Sequence, residues 1–146
     1  MTRSQRMKVV QNHQQEKATK AAQVAVSSRS ALEVQHERLN QLAAYRDEYW
    51  QKYSASGGMN TARLQDFRQF ISRLDGAIEQ QRQVVEQAEV ECREKQDEWL
   101  YERTREKVIG TAVEKMAKQE HVDKEKIEQK QQDEFSQKLH AYQRRV

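Results

Sequence analysis

The chain has 146 residues, of which 36% are hydrophobic and 34% charged, a composition too polar for a thick hydrophobic core. Lys and Arg number 26 against 23 Asp and Glu, so the formal net charge is only +3, and the large net charge typical of disordered chains is missing. No apolar run approaches the ~18 residues of a membrane span. The N-terminus lacks the apolar segment of a secretory signal, and the single cysteine, Cys92, excludes an internal disulfide framework. We therefore expect an intracellular, soluble protein.

The sequence contains no proline and only one adjacent glycine pair, Gly57-Gly58. At ordinary usage about seven prolines would be present, and proline breaks helix interiors because it lacks a donor and clashes with the preceding turn. The pattern predicts an all-α fold: two long helices in an antiparallel coiled-coil hairpin, treated as a single domain over residues 1–146. We expect helix one over about 5–54, the turn over 55–60 and helix two over about 61–116.

The first predicted helix carries a weak apolar stripe at coiled-coil spacing. Its members are Ala21, Val24 or Ala25, Ser28, Leu32, Leu39, Leu42, Tyr49 and Tyr53.

The second predicted helix carries a clearer repeat of seven, and Asn60 or Thr61 is the expected N-cap. One set of positions is Leu64, Ile71, Ile78, Val85, Cys92, Trp99, Glu106 and Val113. The companion set is Phe67, Leu74, Gln81, Ala88, Lys95, Glu102, Ile109 and Met116. A sustained seven-residue repeat is typical of a left-handed coiled coil.

Folding the first helix back at the glycine pair makes opposing residue numbers sum to about 116 or 117. This places Phe67 opposite Tyr49 and Leu74 opposite Leu42, which favours a hairpin within one chain over a parallel dimer. The same arithmetic leaves residues 117–146 without a partner. We expect this segment to be a C-terminal overhang, helical or frayed.

Charge is unevenly distributed along the sequence. The net charge is +5 over residues 1–30, -5 over residues 31–102 and +3 over residues 103–146. We expect the basic segments and the acidic segment to select different partners.

The sequence predicts no catalytic, metal-binding or cofactor-binding site. The four histidines do not follow a metal-ligand spacing, and no glycine-rich phosphate loop is present. Basic residues alternate with Glu along the helices, which indicates solvated faces with ion pairs and not a nucleic-acid interface.

One group of residues near the turn includes aromatic side chains that a two-helix seam does not need for its packing. Helix one and helix two each offer four residues at spacings of 4, 3 and 4, and Tyr45 and Phe70 fall outside the seam. Aromatic side chains in such positions are typical of protein-binding surfaces, although a seam that widens near the turn would place them similarly. The candidate protein-binding residues are Arg38, Leu42, Tyr45, Tyr49, Phe70, Leu74, Ala77 and Gln81.

Three blocks of the sequence strongly resemble the FliJ family of bacterial flagellar export proteins. They are LNQLAAYRDEYWQKY, SASGGMNTARLQDFRQFISRLDGAIEQQ and KIEQKQQDEFSQ. The similarity covers most of the chain and is densest from Leu39 to Gln81.

The resemblance implies a non-enzymatic stalk and coupling factor of flagellar type III protein export. Its implied partners are the hexameric export ATPase FliI, the membrane export-gate protein FlhA and export chaperones. The basic termini would then enter the ATPase ring, and the Tyr45/Phe70 patch would meet the gate, with the protein cytoplasmic and peripheral at the inner membrane. The equivalent stalk of a virulence injectisome and an unspecific coiled-coil scaffold remain as alternatives.

Overall fold

The computed structural model describes residues 1–55, 57–58 and 60–145. Of these described residues, 96% are helical and none lies in a β-strand. Helix α1 spans Arg3–Ser54 and helix α2 spans Thr61–Arg145. The two helices pack against each other, which confirms the predicted all-α antiparallel hairpin. Ser56 and Met59 of the predicted turn, and Val146 of the predicted overhang, lie outside the described residues.

Contacts within the chain group the residues into two compact units. Unit 1 comprises Met1–Ala18 and Glu102–Val146, and unit 2 comprises Thr19–Tyr101. The expectation of a single domain over 1–146 stays a prediction.

Unit 2 contains the connection between the helices. Gly58 has a φ of 100°, a left-handed conformation that favours glycine because it has no Cβ. The Asn60 side-chain oxygen accepts a hydrogen bond from the backbone N–H of Arg63 at 2.9 Å, which satisfies one of the unpaired donors at the start of α2. Asn60 is therefore the N-cap, one of the two residues predicted for that role.

The seam of unit 2 follows the predicted seven-residue repeat. The buried side chains of α2 are Phe67, Ile71, Leu74, Ile78, Val85 and Cys92. On α1, Leu32, Leu39, Leu42 and Tyr49 are half-buried and Ala25 is buried. Leu64 departs from the prediction, since it is 38% exposed at the first turn of α2. The core is thus one thin line of side chains, as the low hydrophobic content requires.

A polar pair interrupts this apolar seam. The Gln81 amide donates to the Gln35 backbone carbonyl at 3.0 Å and to Gln35 Oε1 at 2.8 Å. Polar groups at seam positions of a coiled coil favour one register over others, because a slip would leave them unpaired.

In unit 1, helix α1 begins at Arg3, two residues before its predicted start near residue 5. Thr2 Oγ1 accepts from the Gln5 backbone N–H at 3.3 Å, and Gln5 Oε1 accepts from the Thr2 backbone N–H at 3.0 Å. This reciprocal arrangement is a capping box, which stabilises the first turn. In the same unit, buried Gln14 donates to the Glu102 backbone carbonyl at 3.0 Å and also to its carboxylate.

The predicted C-terminal overhang lies in unit 1. It is helical, one of the two states expected for it, because α2 continues to Arg145. Pairing with α1 also extends beyond Met116, because Glu120 accepts hydrogen bonds from the Ser4 backbone N–H at 2.9 Å and from the Ser4 hydroxyl. Residues 121–145 are helical and exposed throughout. The unpaired segment therefore begins near residue 121 instead of 117.

Candidate functional site

The structure brings the predicted aromatic residues together in unit 2, near the turn. The rings of Tyr45 and Phe70 meet edge to face, with centroids 6.2 Å apart and planes at 83°. The rings of Tyr49 and Phe70 are closer, with centroids 4.3 Å apart. Edge-to-face and offset arrangements of this kind are favoured by the ring quadrupoles. We call Tyr45, Tyr49 and Phe70 the Tyr45 edge.

The eight candidate residues differ in how far they reach the surface. Tyr45 is 50% exposed, and Arg38 is exposed as well. Leu74 is buried and therefore belongs to the seam. The other five are half-buried: Leu42, Tyr49, Phe70, Ala77 and Gln81. Tyr45, with the accessible parts of its half-buried neighbours, is what a partner could touch.

Gln81 has a structural partner as well as a place on this surface. Its amide group is engaged by Gln35 across the seam, through the two hydrogen bonds described above. Substituting Gln81 would therefore disturb the helix pair as well as any contact with another protein.

The aromatic cluster extends beyond the residues predicted from the sequence. The Tyr49 ring stacks on the Phe67 ring with centroids 5.6 Å apart, and the Trp50 and Phe67 ring centroids are 5.4 Å apart. The ring centroids of Tyr53 and Tyr49 are 4.4 Å apart. Trp50 was not predicted as a site residue, because its spacing along the helix does not show that its ring reaches Phe67.

Charged groups border the cluster on the Trp50 side. Arg46 Nε donates to Asp75 Oδ1, and this hydrogen bond raises the pKa of the Arg46 guanidinium. The Arg46 guanidinium also lies 5.8 Å from the centre of the Trp50 ring, within the range of a cation–π contact. Partial burial raises the pKa of Tyr49 above its ordinary value, with smaller contributions from Tyr53, Tyr45 and Asp66. Tyr49 is thus a neutral phenol at physiological pH.

Trp50 and Tyr45 face different sides of the helix pair. They are five residues apart, which is about 140° around an α-helix. Beside Trp50 lies an open groove of ≈ 610 Å³ in unit 2, which we call the Trp50 groove. Its lining includes Trp50, Tyr53, Leu64, Phe67, Arg68 and Asp75.

The described part of the chain holds no group of three or more His, Cys, Asp or Glu side chains that could bind a metal ion. Nor is any helix in those residues both long and apolar enough to cross a membrane. What the site offers chemically is a surface of aromatic rings, phenol hydroxyls and charged groups.

A family model described as flagellar FliJ protein matches residues 3–145, nearly the whole chain. Neither the curated proteins nor the solved structures gave a significant match.

Proposed function

The chain belongs to the FliJ family, and we propose on that premise that it is a non-enzymatic stalk and coupling factor of flagellar type III protein export. The family associates it with flagellar export. The finer role proposed here is to bind the hexameric export ATPase and the export gate and to escort export chaperones. It would act in the cytoplasm, peripherally at the inner membrane through its contact with the gate.

The observation that carries the proposal is the Tyr45 edge within a family match that covers nearly the whole chain. Tyr45 keeps half of its surface exposed although its ring contacts Phe70. A half-exposed aromatic residue held by a neighbouring ring is pre-organised for binding, because little side-chain entropy remains to be lost. Aromatic residues of this kind supply much of the affinity in protein interfaces. We assign the Tyr45 edge to the gate.

The basic N-terminal segment supports a separate contact with the ATPase. Residues 1–30 carry a net charge of +5, and Arg3, Arg6 and Lys8 are exposed. Clustered exposed charges of one sign accelerate association with a surface of opposite sign. We assign this segment to the ATPase ring.

The assignment of the Tyr45 edge is tested by measuring binding to the purified cytoplasmic domain of the export gate. Tyr45→Ala with Phe70→Ala should weaken binding at least tenfold, since loss of one aromatic hot spot is worth ~2 kcal/mol or more. Tyr101→Ala is the matched control, because Tyr101 is 61% exposed in the same unit but lies well away from Tyr45 and Phe70 along both helices.

Thermal unfolding of the same variants separates binding from folding. The double variant should unfold cooperatively, with a midpoint lowered by only a few degrees, as expected for ~1 kcal/mol in a domain of this size. Undiminished binding of the double variant would show that the Tyr45 edge does not contact the gate. A variant that no longer folds would show instead that these rings are core residues.

A further inference from the structure

Two arginines extend the Tyr45 edge of unit 2 away from the turn. Arg38 stands seven residues before Tyr45, and Arg73 stands three residues after Phe70. These spacings are close to two turns and one turn of helix, so each arginine lies on the same side of its helix as the neighbouring aromatic ring. Both arginines are exposed, and neither forms an ion pair with any residue in the described ranges. Two unpaired guanidinium groups therefore stand beside the aromatic rings.

Ala77 lies between these two arginines. The Tyr45 and Phe70 rings meet across the seam, and seven residues farther from the turn on each helix the same alignment brings Arg38 opposite Ala77. Arg73 precedes Ala77 by four residues, which is ~6 Å along α2. Ala77 is half-buried, and its single methyl group leaves room for another side chain between the arginines. We call Arg38, Tyr45, Phe70, Arg73 and Ala77 the arginine face.

Ion pairs between the helices of unit 2 lie on the other side, where Trp50 is. Arg46 pairs with Asp75, and His36 Nε2 lies 3.5 Å from a carboxylate oxygen of Glu89. The arginine face has no such pair among the described residues. It thus keeps two positive charges without a partner, although residues 31–102 as a whole carry a net charge of -5.

Acidic side chains border the arginine face mainly toward the turn. Glu48 and Asp66 lie about one helical turn nearer to it than the aromatic rings do. Glu37 stands about 100° from Arg38 around α1, and its carboxylate accepts a hydrogen bond from the Gln41 amide at 3.5 Å. A negatively charged group of a ligand is therefore repelled at the turn and attracted beside the arginines, which gives a bound segment a direction.

From these features we infer that the segment bound by the Tyr45 edge is acidic. An apolar side chain of that segment packs on the rings of Tyr45 and Phe70, and a carboxylate beside Ala77 binds the two guanidinium groups. A guanidinium can hold a carboxylate through two parallel hydrogen bonds, which adds both strength and geometric specificity. The net negative charge of the rest of the unit disfavours binding of the same segment elsewhere. The inference rests on the proposed function in one respect, the assignment of this segment to the export gate.

The first test is the affinity of the full chain for the purified cytoplasmic domain of the export gate at several ionic strengths. Arg38→Gln with Arg73→Gln should weaken binding about tenfold at low salt, because both carboxylate contacts are lost. The difference from the wild type should shrink at about 0.5 M salt, where exposed charges are screened. Arg38→Lys with Arg73→Lys should bind with intermediate affinity, since the charge stays but the paired hydrogen bonds are lost.

A matched control separates the position of the charges from their number. Arg68→Gln with Arg93→Gln removes the same total charge from exposed positions of unit 2 outside the arginine face, and it should bind like the wild type. Both double variants to Gln should keep the wild-type unfolding midpoint, because none of the four arginines forms an ion pair in the described ranges. Equal weakening of gate binding by both would overturn the inference, since only the total charge would then matter.

The second test identifies the bound segment by photo-cross-linking. A photoreactive amino acid in place of Gln80, which is exposed about one helical turn beyond Ala77, should capture the gate domain. The captured gate peptide, sequenced by mass spectrometry, should contain Asp or Glu residues next to an apolar one. Capture of a gate segment without acidic residues would overturn the inference.

The outcomes distinguish this inference from the gate assignment itself. Gate binding that requires Tyr45 and Phe70 but is indifferent to salt and to the loss of Arg38 and Arg73 would overturn the acidic segment and leave the gate assignment standing. A wild-type chain that does not bind the gate domain, or that binds a purified export chaperone through the arginine face instead, would overturn both.

Discussion

At the residue scale, Glu120 connects α2 to the N-terminus of α1. Its carboxylate accepts from the backbone and hydroxyl of Ser4, and these hydrogen bonds lower the pKa of Glu120, with the Ser4 side chain as the largest cause. A carboxylate in this place also interacts favourably with the positive end of the α1 dipole. Glu120 thus favours the folded arrangement of unit 1 in its charged form.

The lowered pKa makes a pH-dependent contribution to stability. A group whose folded pKa is depressed stabilises the fold fully above its unfolded pKa, which for Glu is about 4.3, and loses that contribution as pH falls through the folded value. Glu120→Gln should therefore lower the unfolding midpoint at neutral pH, and the difference from wild type should shrink below about pH 4. Glu125→Gln is the control, because the one ion-pair partner of Glu125 among the described residues is His121, on the same exposed helical face. A difference that is constant at all pH values would contradict the account.

At the element scale, the seam is a single line of side chains, so each of them carries a large share of the stability. Ile78 is buried to 7% exposure, whereas Val84 on the same helix is 42% exposed. Ile78→Ala should lower the free energy of unfolding by about 2 to 4 kcal/mol, through lost burial and the cavity left behind. Val84→Ala should change it by less than about 0.5 kcal/mol. Chemical denaturation of both variants measures this, and equal losses would mean that the seam does not run where the repeat places it.

Much of this element-scale organisation could be predicted from the sequence, because helical periodicity is local. Fifteen of the sixteen seven-residue positions predicted on α2 are buried or half-buried, and only Leu64 is not. The Asn60 cap was also readable, since capping depends on residues three apart. The Thr2–Gln5 capping box has the same kind of local signal, and missing it placed the start of helix one two residues late.

Contacts between long side chains were not predictable in the same way. The sum rule pairs Tyr49 with Phe67 correctly. Arg46 nevertheless forms an ion pair with Asp75, although the two residue numbers sum to 121 and not to 116 or 117. The long side chain of arginine, with its guanidinium on three methylenes, can bridge more than a helical turn. Trp50 was missed for a related reason: which side of a seam an aromatic ring occupies depends on side-chain direction and not on spacing alone.

At the scale of the whole molecule, the uneven charge of the sequence leads to a prediction about the proposed ATPase contact. Charge reversal at Arg3, Arg6 and Lys8 should slow association with the purified export ATPase and make the rate less sensitive to salt, since exposed charges act mainly on encounter. Dissociation should change much less. Stopped-flow kinetics at several ionic strengths would measure this.

A matched control for that experiment reverses Arg73, Arg82 and Arg93, which are exposed residues of unit 2. It changes the total charge by the same amount but leaves the N-terminal segment intact. Equal slowing in both variants would show that only the total charge matters and that the N-terminus has no special role.

The central claim is that this chain couples energy and substrates to flagellar protein export. The most direct measurement is the amount of flagellar filament protein exported to the medium by cells from which this chain has been deleted, with and without the wild-type chain restored. The account predicts that export and swimming fall sharply on deletion and return with the wild-type chain. Undiminished flagellar export in its absence, or loss confined to the secretion of virulence proteins, would contradict it.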